Sequence, residues 1–238
     1  LKWIEISWLA EAPRIVQIPP PIKAGERSTL AKQFQNILSK MALIEIKQEG
    51  FERIVELKFA SRPGLDVQKT ILIEIMGRHS NIFLLDDKFK VITVGRQVRE
   101  SQSRKRPIST GDNYFPPPPL TGIKPSLEES FRQWKYRLSL TPVSLKNSLQ
   151  ETYQGISPSL LIQLISDNEE ETKSIMKSNV KEISNHQWEK IYTKWQYWLR
   201  SIKNKSFTLN INNDYSFKVW DINNKTNNIS KNLSLRLG

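Results

Sequence analysis

The chain has no cysteine and only two histidines, His79 and His186. The first absence excludes disulfides and thiolate chemistry. The second leaves no His/Cys/Asp/Glu spacing that reads as a metal set, so neither a metal nor any other cofactor is expected. No window holds the uninterrupted apolar run that a membrane span requires, and the amino end lacks the basic, apolar, small-residue order of a secretory signal. The expected setting is therefore cytoplasmic, with no membrane partner. The chain opens on Leu1 rather than Met and enters a strand-like pattern at once, so it reads as a fragment of a longer protein.

What is abundant is positive charge. Lys and Arg number 36 against 24 Asp and Glu, a formal net charge of +12, and the isoelectric point is near 9.8. That balance is the electrostatic footprint of a protein that meets phosphate backbones or anionic surfaces, although solvated lysines give the same number. With 238 residues, 38% of them hydrophobic, the chain can bury a sizeable core in one or two domains.

The hydrophobic period changes along the chain. Residues 2–8 and 14–18 alternate like the two strands of a hairpin, and Ser28 caps a helix to about Ser39 with Leu30, Phe34, Ile37 and Leu38 on one face. Period two returns at 43–46 and 53–59, followed by strands at 69–76, 81–85 and 89–94. A basic loop from Arg96 to Gly111 is expected to be exposed, and Tyr114-Phe115 with four prolines forms a stiff connector. A domain boundary is placed there, at about residue 116.

Residues 117–205 read as helical. Ser126 with Glu129, and Ser184 with Gln187, form capping boxes, and Thr141 caps a helix with Pro142 at its first position. On the last helix Trp188, Ile191, Tyr192, Trp195, Leu199 and Ile202 recur at helical spacing, which marks core rather than a base-stacking platform. Strand character at 206–222 is expected to complete the first sheet, and 223–238 is an Asn-rich tail. The fold class is α+β, a β-rich domain carrying a helical insertion.

The stretch Lys69 to Asp87 holds an anomaly. Its first apolar run, Ile71 to Met76, reads as a strand buried on both faces, yet Glu74 interrupts it. Either one face is wet or the carboxylate has a cation near it, and Arg53 and Arg78 are the candidates. Gly77, Arg78, His79, Ser80 and Asn81 form a turn whose amides and short polar side chains suit a phosphate, or simply a turn. Arg96, Arg99, Arg104, Lys105 and Arg106 suit phosphate contacts or plain solvation. Gly155 to Pro158 presents helix amides to an anion, or is a Gly stop followed by a Ser157 cap. His79 has no companion for nucleophilic catalysis.

The run Glu74-Ile75-Met76-Gly77-Arg78-His79-Ser80-Asn81, with Gly50-Phe51-Glu52-Arg53-Ile54-Val55 upstream and Tyr114-Phe115-Pro116-Pro117 downstream, resembles the signature of the NFACT amino-terminal domain, the fibronectin-binding protein A and RqcH ribosome-quality-control family. The resemblance implies a β-domain like the amino-terminal domain of formamidopyrimidine-DNA glycosylases, joined to a helix-hairpin-helix at Gly155 to Leu161. It implies binding without enzymatic activity: transfer RNA, alanine transfer RNA in particular, held on a large ribosomal subunit with an obstructed nascent chain, followed by alanine tailing. The family's transfer-RNA determinants fall here on Glu52 and Arg53, and on Glu74, Ile75 and Met76. Glu52 departs from the usual Asp, keeping the charge but moving the carboxylate, which puts tailing in question. The family's coiled coil and carboxy-terminal module are absent. Other readings are a fibronectin- or fibrinogen-binding surface adhesin, the family's older label, and a DNA-binding glycosylase-like protein, by fold analogy alone.

Overall fold

The computed structural model describes residues 3–9, 13–20, 28–101, 106–207, 210–211, 217–218 and 220. The chain divides into two compact units, Leu1–Pro119 and Leu120–Gly238. Arg104, Lys105 and the tail at 223–238 lie outside the described residues.

In the first unit, β1 (Trp3–Ser7) and β2 (Arg14–Ile18) form the expected hairpin. Helix α1 (Thr29–Leu38) starts at Ser28, whose Oγ accepts from the Ala31 amide at 3.2 Å, satisfying one of the donors a helix start leaves open. Then β3 (Ala42–Gln48), β4 (Ile54–Ala60), β5 (Lys69–Glu74), β6 (Asn81–Asp86) and β7 (Val91–Val94) build an antiparallel meander whose spatial order is the sequence order.

Strand alternation sends every second side chain to one face. On one side Leu57, Ile71, Ile73, Ile82 and Leu84 form a cluster, packed by Leu30, Phe34, Ile37 and Leu38 of α1 and by Ile6, Trp8 and Ile15 from the hairpin region. On the other side lie Leu72, Phe83, Leu85 and Val91. β5 and β6 are thus covered on both faces, which is why they read as continuous apolar runs. Each Leu, Ile or Phe fully removed from water contributes about 1.5–3 kcal/mol.

The second face is covered by apolar residues of the segment that follows β7: most of its described residues are exposed, as expected of that loop, but Ile108 is buried. Val98 and Ile108 exchange a reciprocal pair of backbone hydrogen bonds, both 2.9 Å, and the Gly111 amide donates to the Val91 carbonyl at 2.8 Å. The Tyr114 amide donates to the Phe89 carbonyl, also at 2.8 Å. Ile108 is buried against Leu72 and Phe83, with Val98 and Tyr114 packed beside it. Few apolar residues stand between the charges here, but those few are enough to close a core.

The second unit is helical: α2 (Phe131–Leu138), α3 (Leu145–Thr152), α4 (Pro158–Ile165), α5 (Glu169–Lys177) and α6 (Asn185–Asn204). Trp134, Trp188 and Trp195 are fully buried, and Trp134 meets the other two at ring-centroid distances of 5.4 and 5.8 Å. The aromatics of α6 are core, and its Ser184–Gln187 capping box is present. Two helix starts differ from expectation. α2 begins after Ser130, which forms its own capping box with Gln133. Glu129 is instead drawn into a side-chain network, accepting from Arg137 Nε at 2.9 Å and from the Tyr153 hydroxyl at 2.5 Å. α3 begins after Ser144 rather than Thr141, because the Ser144 side chain takes the Asn147 amide.

Among the described residues of 206–222, β8 (Asn210–Ile211) and β9 (Phe217–Lys218) pair with each other in a two-stranded sheet. Trp220 rests against Tyr197 of α6. The fold class is α+β, with an antiparallel sheet and helices.

Candidate nucleic-acid interface

The carboxylate of Glu74 is 1% exposed, so the wet-face reading fails. Its partner is neither Arg53 nor Arg78. Arg106 donates from Nη1 to one carboxylate oxygen at 2.9 Å and from Nη2 to the other at 2.5 Å, a bidentate pair. The Tyr114 hydroxyl donates to Glu74 Oε1 at 2.8 Å. Arg106 also donates from Nε to the Phe115 carbonyl at 2.7 Å, and its guanidinium lies over the rings of Tyr114 and Phe83, 5.2 and 5.9 Å from their centroids. Burial works against charge on Arg106, but the hydrogen bonds and charge of Glu74 outweigh it and raise its pKa. Burial, followed by the Glu74 charge, pushes the Tyr114 phenol well above its ordinary value. Arg106 is therefore spent inside the protein and is removed from the expected phosphate contacts.

The turn after β5 is equally committed. Gly77 to His79 is a single 3-10 turn, entered through Gly77 at φ +53, a left-handed conformation glycine adopts without a Cβ clash. The Ser80 hydroxyl accepts from the Met76 amide at 2.8 Å. Asn81 Oδ1 accepts from the amides of Ile82 and Arg96, at 3.0 and 2.9 Å, and Asn81 Nδ2 donates to the Arg96 carbonyl at 2.8 Å. Ser80 and Asn81 are both buried. They hold the turn and the end of β7 together, as the plain-turn alternative has it. His79 accepts at Nε2 from Arg78 Nε, 3.1 Å away.

What the turn presents outward is cationic. Arg78 is exposed, and Arg96 Nη2 donates to its carbonyl at 2.9 Å, so the two guanidiniums share one end of the sheet. Arg53 stands at the same end, since its carbonyl accepts from the Ile75 amide at 2.8 Å and the next residue, Ile54, is opposite Glu74 in register. It falls on the sheet face opposite to Glu74, as the alternation predicts, but its side chain is exposed and does not reach that carboxylate. Among the described residues none of Arg53, Arg78 and Arg96 has a carboxylate partner.

The remaining expected residues scatter. Glu52 is half-buried in the turn closed by Gly50 at φ +54, its amide donating to the Glu49 carbonyl and its carbonyl accepting from Gln48. Ile75 packs into the apolar cluster on the α1 side, and Met76 is half-buried. Arg99 is exposed on the covering segment. Gly155 sits at φ +77 between α3 and α4, and the Ser157 hydroxyl accepts from the Leu160 amide at 3.1 Å, so the cap reading describes it. Among the described residues no group of His, Cys, Asp and Glu is placed to hold a metal ion. No described helix is long and apolar enough to cross a membrane.

Sequence reasoning missed Tyr114 as a site residue and misassigned Arg106. The signal for Arg106 was its place at the end of the basic loop, just before Pro107-Ile108 where apolar character resumes.

The chain matches the family described as NFACT N-terminal and middle domains over residues 1–236. It is 32% identical over 132 residues to the Rqc2 homolog RqcH of Streptococcus suis, covering 54% of this chain and 24% of that protein. It is 33% identical over 117 residues to the Rqc2 homolog RqcH of Bacillus subtilis, covering 48% of this chain and 20% of that one. The matched stretches thus make up no more than about a quarter of the length of these curated relatives. Among solved structures, the N-terminal part of the fibronectin/fibrinogen-binding protein from Streptococcus suis superposes with a TM-score of 0.64 at 21% identity, over 99% of this chain and 81% of that one. The fibrinogen-binding protein from Staphylococcus aureus gives 0.66 at 18% identity with the same coverage. At these identities the likeness is one of fold.

Proposed function

The chain belongs to the family of NFACT N-terminal and middle domains, and on that premise we propose that it acts in ribosome-associated quality control by binding transfer RNA on the large ribosomal subunit. The observation that carries this reading is the set of exposed guanidiniums, Arg53, Arg78 and Arg96, gathered at one end of the sheet without carboxylate partners. A guanidinium without a carboxylate is free to take a phosphate oxygen, and several on one rigid edge fix a folded RNA by its backbone. The net charge of +12 adds long-range attraction.

The role we assign is binding: His79 is engaged by Arg78 Nε, and the buried carboxylate of Glu74 is neutralised by Arg106. Alanine tailing, with alanine transfer RNA as the ligand, belongs to the longer protein together with the ribosome. The cytosol is the compartment this work requires.

Co-sedimentation with large ribosomal subunits, followed by sequencing of the bound RNA, tests the proposal. Retention of transfer RNA that weakens steeply with added salt is expected. The names of the structural neighbours favour a second reading, fibronectin or fibrinogen binding, and immobilised fibronectin in the same assay separates the two. Capture by fibronectin with no RNA retained would reject the quality-control role.

A further inference from the structure

We propose that Asn81 is a positioning residue for RNA binding: its buried side chain clamps the backbone of Arg96 where β7 leaves the sheet, and so holds the Arg96 guanidinium beside Arg78 on the cationic edge. The inference rests on the reading above that this edge binds transfer RNA. β6 and β7 run antiparallel with Phe83 opposite Val94, and continuing that register brings Asn81 level with Arg96. Between the two levels the Gly95 amide donates to the Ile82 carbonyl at 2.8 Å. One step further on, the Asn81 side chain stands in for the backbone ladder. Its Oδ1 accepts from the Ile82 and Arg96 amides, at 3.0 and 2.9 Å, and its Nδ2 donates to the Arg96 carbonyl at 2.8 Å. A single primary amide therefore satisfies both backbone groups of Arg96.

The geometry separates holding from contact. Asn81 is 2% exposed and meets no phosphate itself, whereas Arg96 is exposed. From the clamped backbone the Arg96 guanidinium donates from Nη2 to the Arg78 carbonyl at 2.9 Å, which gathers two cationic residues at one place on the edge. An arginine on an unheld stretch of chain loses backbone as well as side-chain freedom when it meets a phosphate. With its backbone already fixed, Arg96 has only the outer part of its side chain left to order. Other short polar residues serve less well at position 81. Serine lacks the reach to meet both backbone groups, and aspartate would set a carboxylate oxygen against the Arg96 carbonyl and place negative charge under the edge.

The test compares the full chain with Asn81→Ala, Asn81→Ser, Arg96→Ala and the Asn81→Ala/Arg96→Ala double variant, in filter binding of an alanine transfer-RNA transcript across a salt series. Circular dichroism at the binding temperature gives the folded fraction for which each affinity is corrected. Asn81→Ala removes no charge, yet it is expected to weaken binding by about tenfold and to lower the slope of log affinity against log salt by about one, as Arg96→Ala does. A variant that had merely lost stability would keep the wild-type slope. The double variant is expected to bind no more weakly than Arg96→Ala alone, because Asn81 acts through Arg96. Asn81→Ser should fall between the wild type and Asn81→Ala, and it carries the test if the Ala variant fails to fold. Hydrogen exchange at the Ile82 and Arg96 amides, both held by Asn81 Oδ1, should quicken in the two single Asn81 variants without RNA. A wild-type salt slope in the folded Asn81 variants, or losses that multiply in the double variant, would overturn the assignment. A wild-type chain that retains no transfer RNA overturns the functional reading instead, and the exchange data then report separately whether Asn81 holds residue 96.

Discussion

Glu74 and Arg106 are thirty-two residues apart in the chain and meet in a bidentate ion pair at 2.5 and 2.9 Å, with the carboxylate 1% and the guanidinium 20% exposed. The second unit repeats the chemistry, with Glu129 held by Arg137 and by the Tyr153 hydroxyl. In each case a carboxylate has been withdrawn from solvent and given one arginine and one tyrosine.

Removing one partner of the first pair should cost far more than a surface charge would. Arg106→Met leaves Glu74 buried with only Tyr114 as a donor, a loss of about 3–5 kcal/mol in the urea midpoint analysis. Arg137→Met, whose side chain is 44% exposed, should cost under about 1 kcal/mol. Equal losses would mean that burial does not set the difference.

Alkaline pH should destabilise the protein through its tyrosines. Burial raises the phenols of Tyr114 and Tyr153, with the Glu74 and Glu129 carboxylates adding to the effect. A raised folded-state value means that the unfolded chain loses protons first as pH climbs. The stabilisation is complete below about pH 10 and drains above it, with a limiting slope of about 1.4 kcal/mol per pH unit for each tyrosine. Urea unfolding at pH 9, 10 and 11 should show this slope in the wild type and a shallower one in Tyr114→Phe and in Tyr153→Phe.

The elements that could be read in the sequence are those whose signals are local. The alternation of Val55, Leu57 and Phe59, the Ser28 cap and the Ser184–Gln187 box each contain their own answer within a few residues. Glu74 was legible as an anomaly, because a carboxylate in an apolar run must find a partner. Its partner was not legible, since hairpin register links Glu74 to Ile54 and Asn81 but nothing local says which loop folds over that face. For the same reason the basic segment looked solvated: Val98, Ile108 and Tyr114 have no period, and only the sheet beneath them reveals them as core. The misplaced starts of α2 and α3 show capping residues in surplus. Ser126 and Ser130 both precede suitable partners; Ser130 makes the box with Gln133, while Glu129, the partner Ser126 would need, accepts from Tyr153.

Gly95 should not tolerate a side chain. A Cβ there would lie 2.8 Å from Ile82 Cγ2 and 2.9 Å from Trp8 Nε1, so the constraint is close approach rather than backbone conformation. Gly95→Ala must push Trp8 off the sheet or shift β6, at a cost of about 1–3 kcal/mol. The change should appear as a red-shifted tryptophan emission together with a lowered thermal midpoint, whereas Ala at Gly64, where the added Cβ meets no neighbour and only the φ of +89 is penalised, should lower the midpoint without the emission shift.

The cationic edge makes a distinct prediction about salt. If Arg53 and Arg78 each neutralise one phosphate, Arg53→Ala and Arg78→Ala should each reduce the slope of log affinity against log salt by about one, in transfer-RNA binding measured from low to moderate salt. Lys88, in the turn between β6 and β7, lies at the opposite end of the sheet and is also exposed. Lys88→Ala removes the same charge from the molecule as a whole but should leave the slope unchanged. Identical slopes for all three variants would mean that RNA senses the total charge and not this edge, since a diffuse field treats the two ends of the sheet alike.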